Sequence, residues 1–415
     1  MSSWQFIVLF LIVGTVILEI LAVTLNLRAL SSVLPDEFAD VFTPEMYATS
    51  REYTRARCRL NLLAVIIINS VSSAFLLLGG FGVVAELIRG LGFGEIFSGL
   101  FFVAVLAFMA YCVSLPFNVY ATFVIEEKFG FNRTTARIFI LDAIKGMLLL
   151  AILGVPILTL VFWLFLNTGS LAWAYCWVCA TLFSLLLHYL APVLIMPLFT
   201  SFSPIADTSL QAKVEKYACK EKFRFKTIVT ADGSKRSSKG NAFFTGFGRF
   251  RRIVLFDTLV DKLSDDEVVA VLAHEIGHHR LNHLWKMAVI SSVQTALIFY
   301  TSSLIYNNKT FLQAFGVEQT SVYISLILIA YLYNFLDPLL SIPVKAISRR
   351  HEYQADSFAA ATFNPRFLIG ALKKLSCDNL SNLTPHPLYV FLHFSHPPII
   401  KRLNALQHND IKHVI

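Results

Sequence analysis

Residues 146–166 read GMLLLAILGVPILTLVFWLFL, an unbroken run without a single charged side chain. A helix rises 1.5 Å per residue, so about 20 such residues cross the roughly 30 Å hydrocarbon core of a bilayer. A surface helix of a soluble protein keeps a polar face, and this run has none. Six further stretches resemble it, at about 5–27, 61–88, 100–122, 171–197, 284–306 and 321–345. The rest of the chain agrees. Of 415 residues, 56% are apolar or aromatic, 37 are Phe and only 15% are charged; mean hydropathy is +0.64. Soluble domains carry about 25% charged residues, so this composition excludes an ordinary soluble chain, and with it disorder, collagen and coiled coil. The first run has no Lys or Arg before it, carries Glu19 in its middle and exceeds the length of a signal-peptide core, so it is read as a retained span.

Basic residues orient the spans. With the N-terminus outside, the inner segments 28–60, 123–145, 198–286 and 345–415 hold 33 of the 35 Lys and Arg, leaving only Arg89 and Lys309 outside. That asymmetry predicts seven spans and a cytoplasmic C-terminus. It also accounts for the net charge of +8 without nucleic acid, for which no basic run interleaved with aromatics speaks. Of six cysteines only Cys176 and Cys179 form a CxxC, and they lie within an apolar run, where small thiols pack.

The expected fold is an all-α polytopic membrane protein of seven transmembrane helices, with a mainly helical cytoplasmic domain carrying a small β-sheet. The division expected is 1–197 for spans one to five, 198–283 and 346–415 for the two parts of a cytoplasmic domain, and 284–345 for the last two spans. Segment 198–283 reads as a basic helix, Ser209 to Lys222, then strand-like runs Thr227–Thr230, Asn241–Phe244 and Arg252–Phe256, with turn signals at Asp232-Gly233, Gly246 and Gly248. Ser264-Asp265-Asp266-Glu267 is a capping box opening a helix through Val268, Val269, Val271 and Leu272.

That helix carries His274-Glu275-Ile276-Gly277-His278. Histidines at i and i+4 share a helix face and can reach one Zn²⁺, and the glutamate beside the first can take a proton from the metal's water. The pattern predicts one zinc per chain and hydrolytic chemistry. His279 and His283 repeat the spacing, but Arg280 follows where the base would be and the pair points about 100° away from His278; a surface place is expected for them. A catalytic zinc takes three protein ligands and one open position. The candidates for the third lie in Ser348-Arg349-Arg350-His351-Glu352-Tyr353-Gln354-Ala355-Asp356. Glu352 and Asp356 share a face, so one can bind metal while the other hydrogen-bonds a ligand imidazole; His351 competes with Glu352.

HEIGH followed after two spans by SRRHEYQAD resembles the integral-membrane zinc metallopeptidases of the CAAX prenyl protease 1 family. The likeness extends to Asp232–Ser238, Gly240–Phe244, Arg252–Leu259, Ser395-His396-Pro397-Pro398 with Arg402, and the early Leu34-Pro35-Asp36-Glu37-Phe38. It implies His274, His278 and Glu352 as zinc ligands and Glu275 as general base. It implies His396 and Arg402 near the metal as oxyanion stabilisers, Asp356 and Arg349 as support for the ligands, and Asn241 as a contact to the substrate backbone. It further implies a water-filled chamber enclosed by the spans, and peptide or protein substrates that include prenylated CAAX C-termini presented from membrane lipid. Asn69, Glu86, His188, Asn334 and Asp337 suit such a chamber or interhelical hydrogen bonds equally. Lys239 stands where the family has His, and its charge is expected in solvent; the short outer loops are expected to leave little structure on the far side. Those loops suggest a bacterial or otherwise short member, in a bacterial inner membrane or the endoplasmic reticulum. A membrane quality-control protease of the HtpX type shares the metal motif but usually has fewer spans. A non-enzymatic metal-binding transporter would place its ligands within the spans.

Overall fold

The computed structural model describes residues 2–205, 207–240, 242–245 and 252–408, the side chains of residues 242–245 and 408 excepted. Seven helices are long and apolar enough to cross a membrane: Ser3–Arg28, Pro44–Leu77, Glu95–Glu126, Ala136–Asn167, Gly169–Phe199, His283–Ile305 and Val322–Thr362. Six of the expected runs fall on one of them each and the second falls on one in part, and the chain is an integral multi-pass membrane protein. Polar caps begin several: the Thr43 hydroxyl accepts from Met46 N at 3.2 Å, and Thr135 does the same for Ile138 at 3.3 Å. The fifth span buries none of its most apolar window, whereas the seventh buries 33% of its own and serves as the packing axis.

The second span departs from expectation. Its helix begins near Pro44 and ends at Leu77, and the rest of the run forms a separate helix, Gly80–Arg89. Gly79 takes φ +69° at the break, and Gly82 lies so close to the Gly316 carbonyl that no Cβ would fit. The short connections at this end of the spans, expected to leave little structure, are therefore structured: Phe81, Phe311, Phe315 and Tyr323 share one apolar cluster there. Glu86 lies on the short helix Gly80–Arg89, paired with Arg89 at 2.5 Å, and Asn69 donates to Val65 O of its own helix at 2.7 Å.

The seventh helix has 41 residues, about 60 Å at helical rise, roughly twice the hydrocarbon thickness. Its C-terminal half leaves the span and enters a second body, where its face carrying Ala355 and Ala359 packs against the HExxH helix, Asp265–Arg280. That body has a core of Leu210, Val214, Ile253, Val268, Leu272 and Leu403. Phe38 and Phe42, from the loop after the first span, are buried in the same core, because this apolar loop has nowhere else to escape water.

Four strands form a sheet in the order β1-β2-β4-β3: β1 Phe202–Pro204, β2 Thr227–Ala231, β3 Ala242–Thr245 and β4 Arg252–Phe256. β2 and β4 run parallel, with Ile228 opposite Ile253, and the outer two pair antiparallel. Three strands coincide with the expected runs; β1 was not anticipated. β3 is an edge strand lying against the HExxH helix. Asn241, Gly246 and Gly248 lie outside the described residues.

Candidate active site

The HExxH helix is fixed at its start. Ser264 N and its hydroxyl both donate to the Glu267 carboxylate, at 2.8 and 2.9 Å, and Lys374 Nζ donates to the same oxygen at 2.7 Å. Val268, Val269, Leu272, Ala273 and Ile276 are buried, which turns His274 and His278 toward the seventh helix. The two helices cross at Gly277 and Ala355. A Cβ at Gly277 would stand 3.1 Å from the Ala355 Cα and carbonyl oxygen and from Phe358 Cβ. Only glycine allows this approach without displacement.

The crossing brings three donors together. His274 Nε2 and His278 Nε2 are 3.1 Å apart, and Glu352 reaches them at 3.5 and 3.3 Å. Among the described residues, His274, His278 and Glu352 are the one group of His, Cys, Asp or Glu whose donor atoms could share a metal ion, all within 4.8 Å. Glu352 Oε2 is buried with no hydrogen-bond partner, which a bound cation would supply. Two imidazoles and a carboxylate at a protein–water boundary are a fitting donor set for a divalent metal. Glu275, half-buried on the same helix, has its carboxyl pushed up by burial, against the lowering pull of His274 and His278.

Behind the trio lies a second layer. His274 Nδ1 is 2.8 Å from Asp356 Oδ1, which holds Nε2 free to face the metal position. Burial opposes a charged His274, but Asp356 and Glu352 outweigh it and raise its pKa to about 9. Arg402 makes a bidentate pair with Asp356, Nε at 2.8 Å and Nη2 at 2.6 Å, and both residues are buried. Its guanidinium is thus held between Asp356 and Glu352, with Nη1 3.5 Å from Glu352 Oε2. His396 is mostly exposed, its Nε2 3.3 Å from Glu352 Oε1. Arg349 sits farther off: it donates to Phe394 O at 2.7 Å and lies 3.4 Å from Val390 O, anchoring the turn that carries His396.

The expectation of a surface place fails for His283. It is buried, with Nδ1 3.0 Å from His278 Nδ1 and Nε2 2.9 Å from Gln354 Oε1. The cause is Asn282, at φ 55°, which breaks the helix so that His283 starts the sixth span and points back. His279 is half-buried, edge-on to Phe223 at 5.4 Å. His351, the rival third ligand, stacks on His283 at 3.9 Å and is not in the group whose donors could share the metal. Lys239 is not in solvent either. Its ammonium donates to the Tyr53 hydroxyl at 2.7 Å and to Glu126 Oε2 at 3.0 Å.

Comparison with known proteins adds the family. Residues 23–201 match the "CAAX prenyl protease N-terminal, five membrane helices" family, and residues 204–410 match "Peptidase family M48". A CAAX prenyl protease 1 homolog of Arabidopsis thaliana is 35% identical, over 96% of each chain. CAAX prenyl protease 1 of Saccharomyces cerevisiae is 34% identical, over 90% of this chain and 88% of its own. The crystal structure of S. mikatae Ste24p superposes with a TM-score of 0.93 at 34% identity, covering 98% of this chain and 99% of that one.

Proposed function

This chain belongs to the CAAX prenyl protease 1 family of M48 metallopeptidases and is a membrane metalloendopeptidase; from that premise we propose that it removes the C-terminal tripeptide of prenylated CAAX proteins, with zinc as the metal. The observation that carries the reading is the convergence of His274, His278 and Glu352 beside Glu275, where a membrane helix enters the catalytic body. We assign the three as metal ligands. Zinc held there supplies Lewis acidity, making an attacking water acidic and drawing charge from the scissile carbonyl.

The remaining work falls to the chain's own groups. Glu275, whose carboxyl is raised by burial, takes the water's proton and passes it to the departing amine. His396, the exposed imidazole beside Glu352, offers its N–H to the developing oxyanion. Arg402 acts through Asp356, keeping His274 in the tautomer that presents Nε2, and Arg349 holds the His396 turn. The free edge of β3 pairs with an extended substrate, and Asn241, next to it in sequence, contacts the substrate backbone as the family resemblance implies. The prenyl group rests among apolar span residues, in a chamber bounded by the seven helices.

Charge distribution supports a cytosolic site and C-terminus, in the endoplasmic reticulum or a bacterial inner membrane. The proposed division keeps spans one to five in 1–197, the catalytic body in 198–283 and 346–415, and the last two spans in 284–345. The test combines metal analysis with product mass spectrometry. Wild type should contain one zinc and release three residues from a farnesylated CAAX peptide, while Glu275→Gln keeps zinc and loses nearly all turnover. Equal rates and scattered cuts on the unprenylated peptide would replace this substrate class with general membrane-protein quality control.

A further inference from the structure

Residues 236–239, just before β3, are sewn to the loop between the third and fourth spans. Arg133 N donates to Arg236 O at 3.1 Å, Ser238 N to Phe131 O at 3.2 Å, and Arg236 forms a bidentate pair with Asp142 at 2.8 and 3.0 Å. Lys239 ends this seam. Its ammonium is enclosed by Glu126 at 3.0 Å, the Tyr53 hydroxyl at 2.7 Å, and the face of Phe131, 4.3 Å from the ring centroid. Glu126 is the common anchor: it accepts from Tyr53 at 2.6 Å, and its carbonyl accepts from Phe131 N at 2.8 Å. It closes the π-helical turn Ala121–Glu126. Such turns cost helix stability and recur where a side chain must be aimed.

We propose that Lys239 is a positioning residue for substrate, and that Glu126 and Tyr53 are its fixed seat in the membrane helices. The inference rests on the reading of β3 as the substrate-pairing edge. The main chain is held on both sides at this point: Thr258 Oγ1 donates to Lys239 O at 2.9 Å, and Gly240 packs so that a Cβ would meet Leu259 Cα at 3.3 Å. β3 starts three residues beyond Lys239. The anchored ammonium therefore sets where the strand edge stands relative to the HExxH helix beneath it, and so where an extended peptide places its carbonyl. Lys239 is half-buried, its side chain 33% exposed, so its seat rests on directed contacts. Here a carboxylate, a hydroxyl and an aromatic face serve one ammonium, so the device is stiff.

The experiment is a double-mutant cycle on the full-length, metal-loaded protein in detergent, with a fluorogenic farnesylated peptide as substrate. Lys239→Met and Glu126→Gln should each raise KM about tenfold, with kcat within about twofold and metal content unchanged. The double variant should fall well short of the product of the two singles, because each already breaks the Lys239–Glu126 pair, although Glu126→Gln also loosens Arg57 at 3.6 Å; Lys239→Arg should recover most of the loss. A purely structural role would instead lower the active fraction, reducing apparent kcat and metal content at constant KM. Unchanged KM, or a double variant about a hundredfold impaired, would overturn the proposal. Should Lys239→Met not fold, Tyr53→Phe, which removes one hydroxyl, must still raise KM about threefold or the idea fails. Turnover persisting in Glu275→Gln would refute the active-site reading itself, independently of the cycle.

Discussion

Gly277→Ala tests whether the helix crossing builds the metal site. The added methyl would stand 3.1 Å from two Ala355 atoms and from Phe358 Cβ, where carbon contacts are comfortable only beyond about 3.5 Å. The HExxH and seventh helices must part by about 0.4 Å or more, or rotate by an equivalent amount. His274 and His278 ride on one helix and Glu352 on the other, so the parting is felt directly by the donor set. Metal–ligand distances tolerate only about 0.2 Å. Overpacking costs about 1–3 kcal/mol, while replacing a mid-helix glycine with alanine returns about 1 kcal/mol of propensity. The metal-free fold should therefore lose little. Metal affinity should fall about 10- to 100-fold, the range typical of disturbed ligand support. Chelator competition measures the affinity, and thermal melts followed by circular dichroism measure the fold. A variant that binds zinc within twofold of wild type would refute the reasoning.

Further expectations follow from the second layer and from topology. Asp356→Ala removes the bidentate partner of the buried Arg402 guanidinium and leaves it only the longer contact to Glu352 at 3.5 Å; it should cost up to about 3–5 kcal/mol and also weaken metal binding, and a melting temperature equal to wild type would contradict it. Without metal, the His274 pKa of about 9 exceeds its ordinary 6.5, so the stability it contributes is complete below pH 6.5 and fades as pH rises through 9. Metal must displace that proton, so apparent metal affinity should rise about tenfold per pH unit across the same window, and a flat profile would disprove the coupling. In a chain otherwise lacking cysteines, a cysteine introduced at Asn308 and the native Cys219 should be labelled from opposite sides of the membrane; labelling of both from one side would sink the seven-span orientation.

Much of the fold was legible because a bilayer asks a coarse question. A run such as 146–166 needs only length and the absence of charge, and seven such runs reappear as seven helices. Boundaries were less legible where packing decides them. Hydropathy does not separate 61–77 from 80–88; the local signal is the Gly79-Gly80 pair, and the long-range one is the close approach of Gly82 to Gly316 from a distant connection. The loop at Phe38 and Phe42 hides its membership of the catalytic core for the same reason, since most of its partners, from Leu210 onward, are distant in the chain.

The metal motif divides in the same way. Histidines at i and i+4 with an adjacent glutamate express a local periodicity, and the donors His274 and His278 converge as that periodicity requires. The letter x in HExxH conceals a long-range demand: at Gly277 it must be a residue without a side chain, because Ala355 occupies the space. His283 was misplaced by extending the same periodicity one turn too far. The signal against doing so was present in Arg280-Leu281-Asn282, since asparagine is among the few residues that enter the left-handed region at a helix end. With the helix broken there, His283 stands behind His278 and hands its other nitrogen to Gln354 on the seventh helix. His274 and His278, which we propose as ligands, are thus oriented from two directions, His274 through Asp356 and His278 through His283. Both lines of support end on the helix that also carries Glu352, so any motion of that helix in the bilayer reaches all three donors at once.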